Sequence, residues 1–256
     1  MAEKNDSRKV LGLIGYPLSH SFSEKYFADK FREEGIEDYT YRNFPIGEIN
    51  ALLPLINSEP DMIGLNVTIP YKEQILPYLD ELEHEARIVG AVNTIGISRR
   101  NGELQLKGFN TDVYGFRESL IPHMQGRHKH ALILGTGGAS KAVSYVLGEM
   151  GVEYKYVSRK YRAGQLQYKD LCLSIIRNST LIINTTPLGT YPEISSFPDI
   201  PYDILTPDHL LYDLVYNPAE STFLRMGKEK GARIKNGLEM LELQADRSWE
   251  IWTEDL

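Results

Sequence analysis

Short runs of β-branched and aliphatic residues alternate along the chain with longer segments in which apolar residues recur every three or four positions. This alternation is typical of an α/β protein with a mainly parallel sheet, because helices cover the sheet between successive strands. Strands are predicted at residues 10–15, 39–44, 62–67, 91–98, 104–109, 130–134, 154–157, 181–184, 211–215 and 233–235. Helices are predicted at residues 23–35, 46–56, 72–88 and 238–252, and the third of these is expected to break at Pro77.

The same pattern predicts two units. Asn101-Gly102 is a hairpin signal within the first group of strands, and a second group begins after Asp112. The chain is therefore expected to divide into an N-terminal unit and a later nucleotide-binding unit. Periodicity alone does not assign the final helix to either of them.

Composition and charge narrow the functional classes. A chain of 256 residues that is 42% hydrophobic and 25% charged is typical of a globular protein with a large core. Its net charge of −7 argues against general affinity for nucleic acid. The first nine residues are polar and no apolar run is long enough to cross a bilayer, so we expect a cytoplasmic protein with no membrane partner. Cys172 is the only cysteine, and the histidine spacings do not suggest a metal site.

A glycine-rich loop, residues 135–139, follows the strand at residues 130–134 and precedes a helical segment. In dinucleotide-binding folds the first glycine turns the chain, the next lets a pyrophosphate approach the backbone, and the helix N-terminus offers free N–H groups. Ser140 stands where the fingerprint has its third glycine, and an ordinary strand-to-helix turn is the competing interpretation. The strand before the loop and the helix after it favour cofactor binding.

The end of the next strand indicates which cofactor binds. Ser158-Arg159-Lys160 places two cations where an NAD site usually has the acidic residue that holds the ribose. Arginine can bind a 2′-phosphate through paired hydrogen bonds, and lysine adds a point charge. A solvated basic loop is the alternative, but the distance from the glycine loop favours NADP.

Two serines begin the first predicted helix. Ser21 and Ser23 can anchor a carboxylate or phosphate there, or can simply cap the helix. Capping explains one serine but not the density of polar groups in the segment.

Further polar side chains follow later strands of the N-terminal unit. Asn66, Thr68 and Lys72 come at the carboxyl end of a strand, where α/β folds bind ligands. Lys72 is expected in the first turn of a helix, where a cation opposes the helix dipole and therefore invites a functional explanation. Asn93 and Asp112 also end short strands, and by themselves both are common turn residues.

Eight separated motifs give the chain a family resemblance. They are GYPLSHSFS, NVTIPYK, GAVNT, GFNTD, GTGGASKA, NTTPLGT, DLVYNPAES and NGLEMLELQA. In their order and approximate spacing they resemble the shikimate dehydrogenase family over essentially the whole chain. The chain departs from the family pattern at residues 158–160, often Asn-Arg-Thr in the family, and at Thr190, where the family usually has methionine.

The resemblance implies a two-domain α/β enzyme with its active site in a cleft. Residues 1–111 with 238–256 would form the substrate-binding domain, and residues 112–237 a Rossmann-like NADP-binding domain with a parallel sheet. The implied reaction is the reversible NADPH-dependent reduction of 3-dehydroshikimate to shikimate, in aromatic amino-acid biosynthesis, by a monomer or homodimer.

The resemblance also implies roles for individual residues. Lys72 and Asp112 match the catalytic pair of the family. The predicted substrate contacts are Ser21, Ser23, Asn66, Thr68, Asn93, Tyr216 and Gln244. The predicted cofactor contacts are Gly135, Thr136, Gly137, Gly138, Ala139, Ser158, Arg159, Lys160, Thr185, Leu214 and Gly237.

Three other functions compete with this one. A dual-specificity quinate/shikimate dehydrogenase would use NAD or NADP, and Arg159 and Lys160 count against it. A non-catalytic NADP-binding regulatory module would keep the glycine loop but would have no reason to keep the Lys72 and Asp112 pair. A dehydrogenase acting on a different cyclic acid would be expected to alter the set of substrate-binding hydroxyls.

Overall fold

The computed structural model of the chain describes residues 8–18, 21–100, 102–160 and 162–254. The chain forms two compact units, Met1–Thr111 with Ala245–Leu256, and Asp112–Gln244. Each unit is built around a six-stranded sheet with helices, so the predicted α/β class is confirmed. Within the described ranges, none of the helices is both long and apolar enough to span a membrane.

The first unit contains a mixed sheet. Its strands are β1 (Lys9–Gly15), β2 (Tyr39–Pro45), β3 (Met62–Val67), β4 (Glu81–Leu82), β5 (Thr94–Arg100) and β6 (Glu103–Phe109), in the order β2-β1-β3-β5-β6-β4. β1 is parallel to β2 and β3, whereas β5 is antiparallel to β3 and β6. β5 and β6 form the predicted hairpin, although Asn101 of its turn lies outside the described residues. The helices are α1 (Phe22–Glu34), α2 (Leu52–Ser58) and α3 (His84–Val89).

The prediction of a helix at residues 72–88 was wrong for most of that range. All of these residues are described, and only α3 is α-helical, preceded by a 3-10 turn at Leu76–Tyr78 and by β4. The Asp80 N–H donates to the Leu106 carbonyl at 2.9 Å, and the Leu106 N–H donates to the Asp80 carboxylate at 2.8 Å. This pairing with β6, together with the missing N–H of Pro77, prevails over the local helical pattern.

The second unit contains a fully parallel sheet. Its strands are β7 (His130–Leu134), β8 (Glu153–Ser158), β9 (Leu166–Gln167), β10 (Leu181–Asn184), β11 (Leu210–Asp213) and β12 (Arg233–Lys235), in the order β12-β11-β10-β7-β8-β9. The helices of this part of the chain are α4 (Thr111–Leu120), α5 (Gly138–Glu149), α6 (Leu173–Asn178), α7 (Thr222–Glu229) and α8 (Leu238–Glu254). The direction of the strand order reverses at β7, which lies between β8 and β10. Open α/β sheets bind ligands outside the carboxyl ends of their strands at such a point.

The C-terminal half of α8 packs on the sheet of the first unit, which answers the question that periodicity left open. Trp252 is buried and donates its indole N–H to the Ile95 carbonyl at 3.0 Å. A Cβ on Gly64 would overlap the Trp252 ring, so the absence of a side chain there lets β3 and α8 approach each other. Trp249 packs against the rings of Phe31 and Tyr39. Both tryptophans therefore contribute to the core of this unit.

Candidate functional site

The glycine loop lies where the strand order of the second unit reverses. Gly135 has a φ of 110°, a value that favours glycine, and its N–H donates to the Val157 carbonyl at 2.9 Å. A Cβ on Gly135 would lie 2.8 Å from Thr185 Oγ1, whereas a Cβ on Gly137 would meet no atom within 4 Å. The loop is thus closed on the Thr185 side and open at Gly137, immediately before the N-terminus of α5. A phosphate group can approach the backbone there.

Ser140 explains how the loop tolerates the missing third glycine. Its side chain is 1% exposed, and its hydroxyl donates to the Gly137 carbonyl at 2.6 Å. The serine thus satisfies its own polar group within the loop and does not occupy the open side at Gly137.

The basic residues follow β8, which pairs with β7. The Ser158 hydroxyl is buried and donates to the Lys160 carbonyl, so it fixes the backbone of the turn. The side chains of Arg159 and Lys160 are exposed. Burial raises the pKa of Tyr168, and the positive charge of Arg159 opposes that shift. Two exposed cations next to the glycine loop suit a phosphate on the ribose.

Two other predicted cofactor residues are in backbone contact. A Cβ on Gly237 would overlap the Leu214 carbonyl, and the Gly237 N–H donates to the Val215 carbonyl at 3.2 Å. The segment after β11 and the segment before α8 are therefore held together at a position that only glycine fills without displacement.

Asp213 and Asn184 are central to this region, and residue-level reasoning from the sequence missed both. Asp213 is fully buried at the end of β11, and Asn184 ends the neighbouring strand β10. Burial raises the pKa of Asp213 to about 6, and three donated hydrogen bonds lower it from a still higher value. The motifs NTTPLGT and DLVYNPAES begin with these two residues, so the signal was present but was not assigned to them.

In the first unit, Ser21 occupies the N-cap position of α1 but makes no side-chain capping hydrogen bond. Its hydroxyl is buried and has no hydrogen-bond partner among the described residues, which do not include Ser19 and His20. Simple capping therefore does not account for Ser21, and its hydroxyl fits the role of a ligand anchor. A Cβ on Gly15 would overlap Thr68 Cγ2, so the turns that follow β1 and β3 are in contact.

A buried network of hydroxyl and amide groups surrounds Asn66. Burial raises the pKa of Tyr41, and the nearby Ser23 side chain opposes that shift. The Tyr41 hydroxyl donates to Asn66 Oδ1 at 2.8 Å. Asn66 Nδ2 donates to Thr94 Oγ1 at 3.1 Å and to Ser248 Oγ at 3.0 Å. With 5% of its surface exposed, Asn66 holds its neighbours in place from inside the unit.

Asn93 fixes the first residue of α4. Its Oδ1 accepts a hydrogen bond from the Thr111 N–H at 2.7 Å, and its Nδ2 donates to Thr111 Oγ1 at 2.9 Å. An amide that bonds both groups of one residue satisfies polar groups at a helix start. Asp112, the next residue along the chain, is a predicted catalytic residue with 7% of its surface exposed.

Lys72 lies in a turn and not at the start of a helix. The Tyr71 N–H donates to the Thr68 carbonyl at 2.9 Å, and the Val92 N–H donates to the Lys72 carbonyl at 2.8 Å. Lys72 therefore does not oppose a helix dipole, and its predicted position in the first turn of a helix was wrong. What holds Lys72 is the pairing of its backbone with the segment before β5, and its side chain is half-buried.

Tyr216 and Gln244 complete the predicted substrate set. Tyr216 is half-buried, and burial raises its pKa. Gln244 is in close contact with Gly115, since a Cβ on Gly115 would lie 3.1 Å from Gln244 Cβ. Because Gly115 is about one turn after Asp112 on α4, the structure brings Asp112 and Gln244 to the same part of the second unit.

Comparison with known proteins identifies the family. Residues 13–95 match the family model of the shikimate dehydrogenase substrate binding domain. A shikimate dehydrogenase (NADP(+)) of Clostridium beijerinckii is 39% identical in an alignment 253 residues long, which covers 95% of this chain and 91% of that protein. The chain belongs to the shikimate dehydrogenase family. The predicted family is thus confirmed.

Solved structures of the family share the fold. A crystal structure of shikimate 5-dehydrogenase from Thermus thermophilus in complex with NADP(H) and shikimate is 32% identical, with a TM-score of 0.82, and the match covers 95% of this chain and 93% of that one. A quinate dehydrogenase from Corynebacterium glutamicum in complex with NAD is 26% identical, with a TM-score of 0.83, and covers 96% of this chain and 94% of that one. The similarity extends through both units of the chain.

Proposed function

We propose that this protein catalyses the reversible NADPH-dependent reduction of 3-dehydroshikimate to shikimate. The observation that carries the proposal is that the chain aligns over 95% of its length with a protein named as an NADP(+) shikimate dehydrogenase. A cytoplasmic location, a monomeric or homodimeric state, and the division into substrate-binding and NADP-binding domains remain predictions.

The second unit fits NADP. The open side of the loop at Gly137 and the N-terminus of α5 would hold the pyrophosphate, with Thr185 closing the other side of Gly135. Arg159 and Lys160 would bind the 2′-phosphate at the carboxyl end of β8. Leu214 and Gly237 would lie beside the nicotinamide.

The polar groups of the first unit fit a hydroxylated cyclic carboxylate. The buried hydroxyl of Ser21, together with Ser23, would donate to the carboxylate. Thr68 and Asn93 would lie by the ring hydroxyls, with Asn66 supporting them from within its network. Tyr216 and Gln244 are further predicted substrate contacts.

Lys72 supplies the proton in the proposed reaction. NADPH, when bound, supplies a hydride to the ketone carbon, and negative charge develops on the ketone oxygen. The Lys72 ammonium stabilises this charge and donates a proton to the oxygen, and in the reverse direction it accepts that proton. Asp112 accepts a hydrogen bond from a substrate hydroxyl and so orients the ring.

Substitution of the lysine tests this assignment. We expect Lys72→Ala to lower kcat by about 10²-fold or more with little change in the KM for substrate, because a general acid acts in the transition state. Lys9→Ala is the matched control, since Lys9 is exposed at the start of β1, the end of the strand away from Ser21. A kcat near that of the wild type for Lys72→Ala would remove Lys72 from the catalytic role.

Absorbance at 340 nm tests the substrate and cofactor together. Purified protein is assayed with shikimate and with quinate, each with NADP+ and with NAD+. Turnover of shikimate with NADP+ alone is the expected result. Comparable rates with quinate or NAD+ would place the protein in the dual-specificity group, and no turnover with any pair would favour a non-catalytic module.

A further inference from the structure

Asp213 is an acidic side chain in the interior of the second unit. It has 0% of its surface exposed, and no lysine or arginine among the described residues forms an ion pair with it. A buried carboxylate without a cation is costly unless hydrogen bonds compensate it. We therefore expect Asp213, at the end of β11, to do more than fill space in the core.

Three donors converge on the Asp213 carboxylate. Oδ1 accepts hydrogen bonds from Asn184 Nδ2 at 2.9 Å and from the Val215 N–H at 3.0 Å. Oδ2 accepts from the Ser221 hydroxyl at 2.5 Å. Each donor belongs to a different segment, namely the end of β10, the turn after β11 and the N-cap of α7.

Asn184 links the Asp213 carboxylate to the turn after β10, which contacts the glycine loop. Asn184 Oδ1 accepts from the Thr186 N–H at 3.0 Å and from the Thr186 hydroxyl at 2.6 Å. Thr185 donates both its N–H and its hydroxyl to the Leu134 carbonyl, at 2.9 and 2.8 Å. Thr185 is the residue that a Cβ on Gly135 would touch, so the shape of the loop depends on where this turn lies.

Through Val215 the carboxylate reaches the other predicted cofactor contacts. The Leu214 N–H donates to the Asn184 carbonyl at 3.0 Å, and the Gly237 N–H donates to the Val215 carbonyl at 3.2 Å. The single carboxylate of Asp213 thus connects the Thr185 turn with the segment of Leu214 and Gly237.

We propose that Asp213 is a positioning residue for the cofactor, which holds the turns after β10 and β11 in the arrangement that NADP binding requires. This inference rests on the proposed function, since it assumes that these turns contact NADP. Asp213 itself acts through Asn184, Val215 and Ser221 and does not touch the cofactor.

The conservative variant is Asp213→Asn. The amide oxygen can still accept from Asn184 and Val215, while the amide nitrogen faces Ser221 Oγ, whose hydroxyl must then reverse and accept. The negative charge is lost, so none of the three hydrogen bonds is charge-assisted any longer, while the shape of the side chain is kept. We expect the Kd for NADPH, followed by the fluorescence of the bound nucleotide, to rise about tenfold. The KM for NADP+ should rise with it, while kcat at saturation changes little.

Tyr212→Phe is the matched control. Tyr212 is the buried neighbour of Asp213 on β11, and its hydroxyl bonds to Ser119 at 2.7 Å. Among the described residues, no side-chain hydrogen bond links this pair to either turn. This variant should lower the unfolding midpoint without changing the Kd for NADPH. If Asp213→Asn does not fold, Ser221→Ala removes one donor and should weaken NADPH binding in the same direction.

The outcomes separate the inference from the proposed function. An unchanged Kd for NADPH in Asp213→Asn, or in Ser221→Ala where that variant is used, overturns the inference while the function stands. An equal loss of affinity in Tyr212→Phe also overturns it, because general destabilisation then explains the effect. If the wild type does not bind NADPH, the proposed function fails and the inference fails with it.

Discussion

Removal of the Ser248 hydroxyl should destabilise the first unit by a small and calculable amount. Ser248 Oγ lies 2.8 Å from Thr94 Oγ1, 3.0 Å from Asn66 Nδ2 and 3.2 Å from Thr111 Oγ1. Each of these groups has a second partner, since Asn66 Nδ2 also reaches Thr94 and Thr111 Oγ1 also accepts from Asn93. Ser248→Ala therefore leaves each of these three groups with another partner. The free energy of unfolding should fall by about 1–2 kcal/mol, roughly the net contribution of one buried hydrogen bond and its packing.

Urea unfolding followed by tryptophan fluorescence measures this change. The two tryptophans of the chain, Trp249 and Trp252, lie on α8 together with Ser248, so the signal reports on the unit that contains the network. Thr253→Ala is the control, because the Thr253 hydroxyl is on the same helix, exposed, and bonded to the Trp249 carbonyl at 2.8 Å. It should change stability by less than about 0.5 kcal/mol. A loss above about 3 kcal/mol for Ser248→Ala would mean that a buried group depends on Ser248 alone, and a loss equal to that of the control would mean that the network adds nothing.

Two further predictions concern the second unit. Gly135→Ala should raise the Kd for NADPH by about tenfold or more, since the new Cβ would strain a backbone at φ 110° and would lie 2.8 Å from Thr185 Oγ1. Gly126→Ala, where a Cβ meets open space, should leave NADPH binding unchanged in the same fluorescence titration. Burial, followed by the positive charges of Arg233 and Arg127, lowers the pKa of His128 in the folded state below its unfolded value of 6.5. Below pH 6.5 the unfolded chain therefore binds a proton more readily than the folded chain, and stability should fall with pH. The thermal unfolding midpoint should fall less steeply between pH 8 and 5.5 in His128→Asn than in the wild type, and identical slopes would contradict this assignment.

The sequence predicted the parallel sheet of the second unit because local signals and tertiary structure agree there. The apolar strand β7, the glycine loop and α5 follow one another within twenty residues, and each has its own pattern. The helix prediction at residues 72–88 was wrong because local signals and tertiary structure disagree there. The apolar spacing suits a helix, yet Asp80 pairs with Leu106 on β6. A pattern within the segment cannot indicate a partner that is distant in sequence.

At the candidate site, too, the sequence showed the local features but not the contacts between residues that are distant in sequence. The motifs located Ser21, Asn66 and Asn93 in the chain, since each motif is a short local string. The motifs did not show that Tyr41 and Ser248 bond to Asn66 from 25 and 182 residues away. Such partners are distant in sequence and have no spacing rule, so only the three-dimensional structure identifies them.

Both units hold their candidate residues by the same physical means. In the first, Asn66 receives a hydrogen bond from Tyr41 and gives hydrogen bonds to Thr94 and Ser248. In the second, the carboxylate of Asp213 receives three hydrogen bonds from separate segments. A buried polar side chain with several partners is stable only when all its hydrogen bonds form together, so it specifies one arrangement of several turns. Ligand-binding residues commonly lie on turns that have few apolar contacts. A buried side chain that bonds to the backbone of such turns can fix their positions and leave their exposed groups available to the ligand.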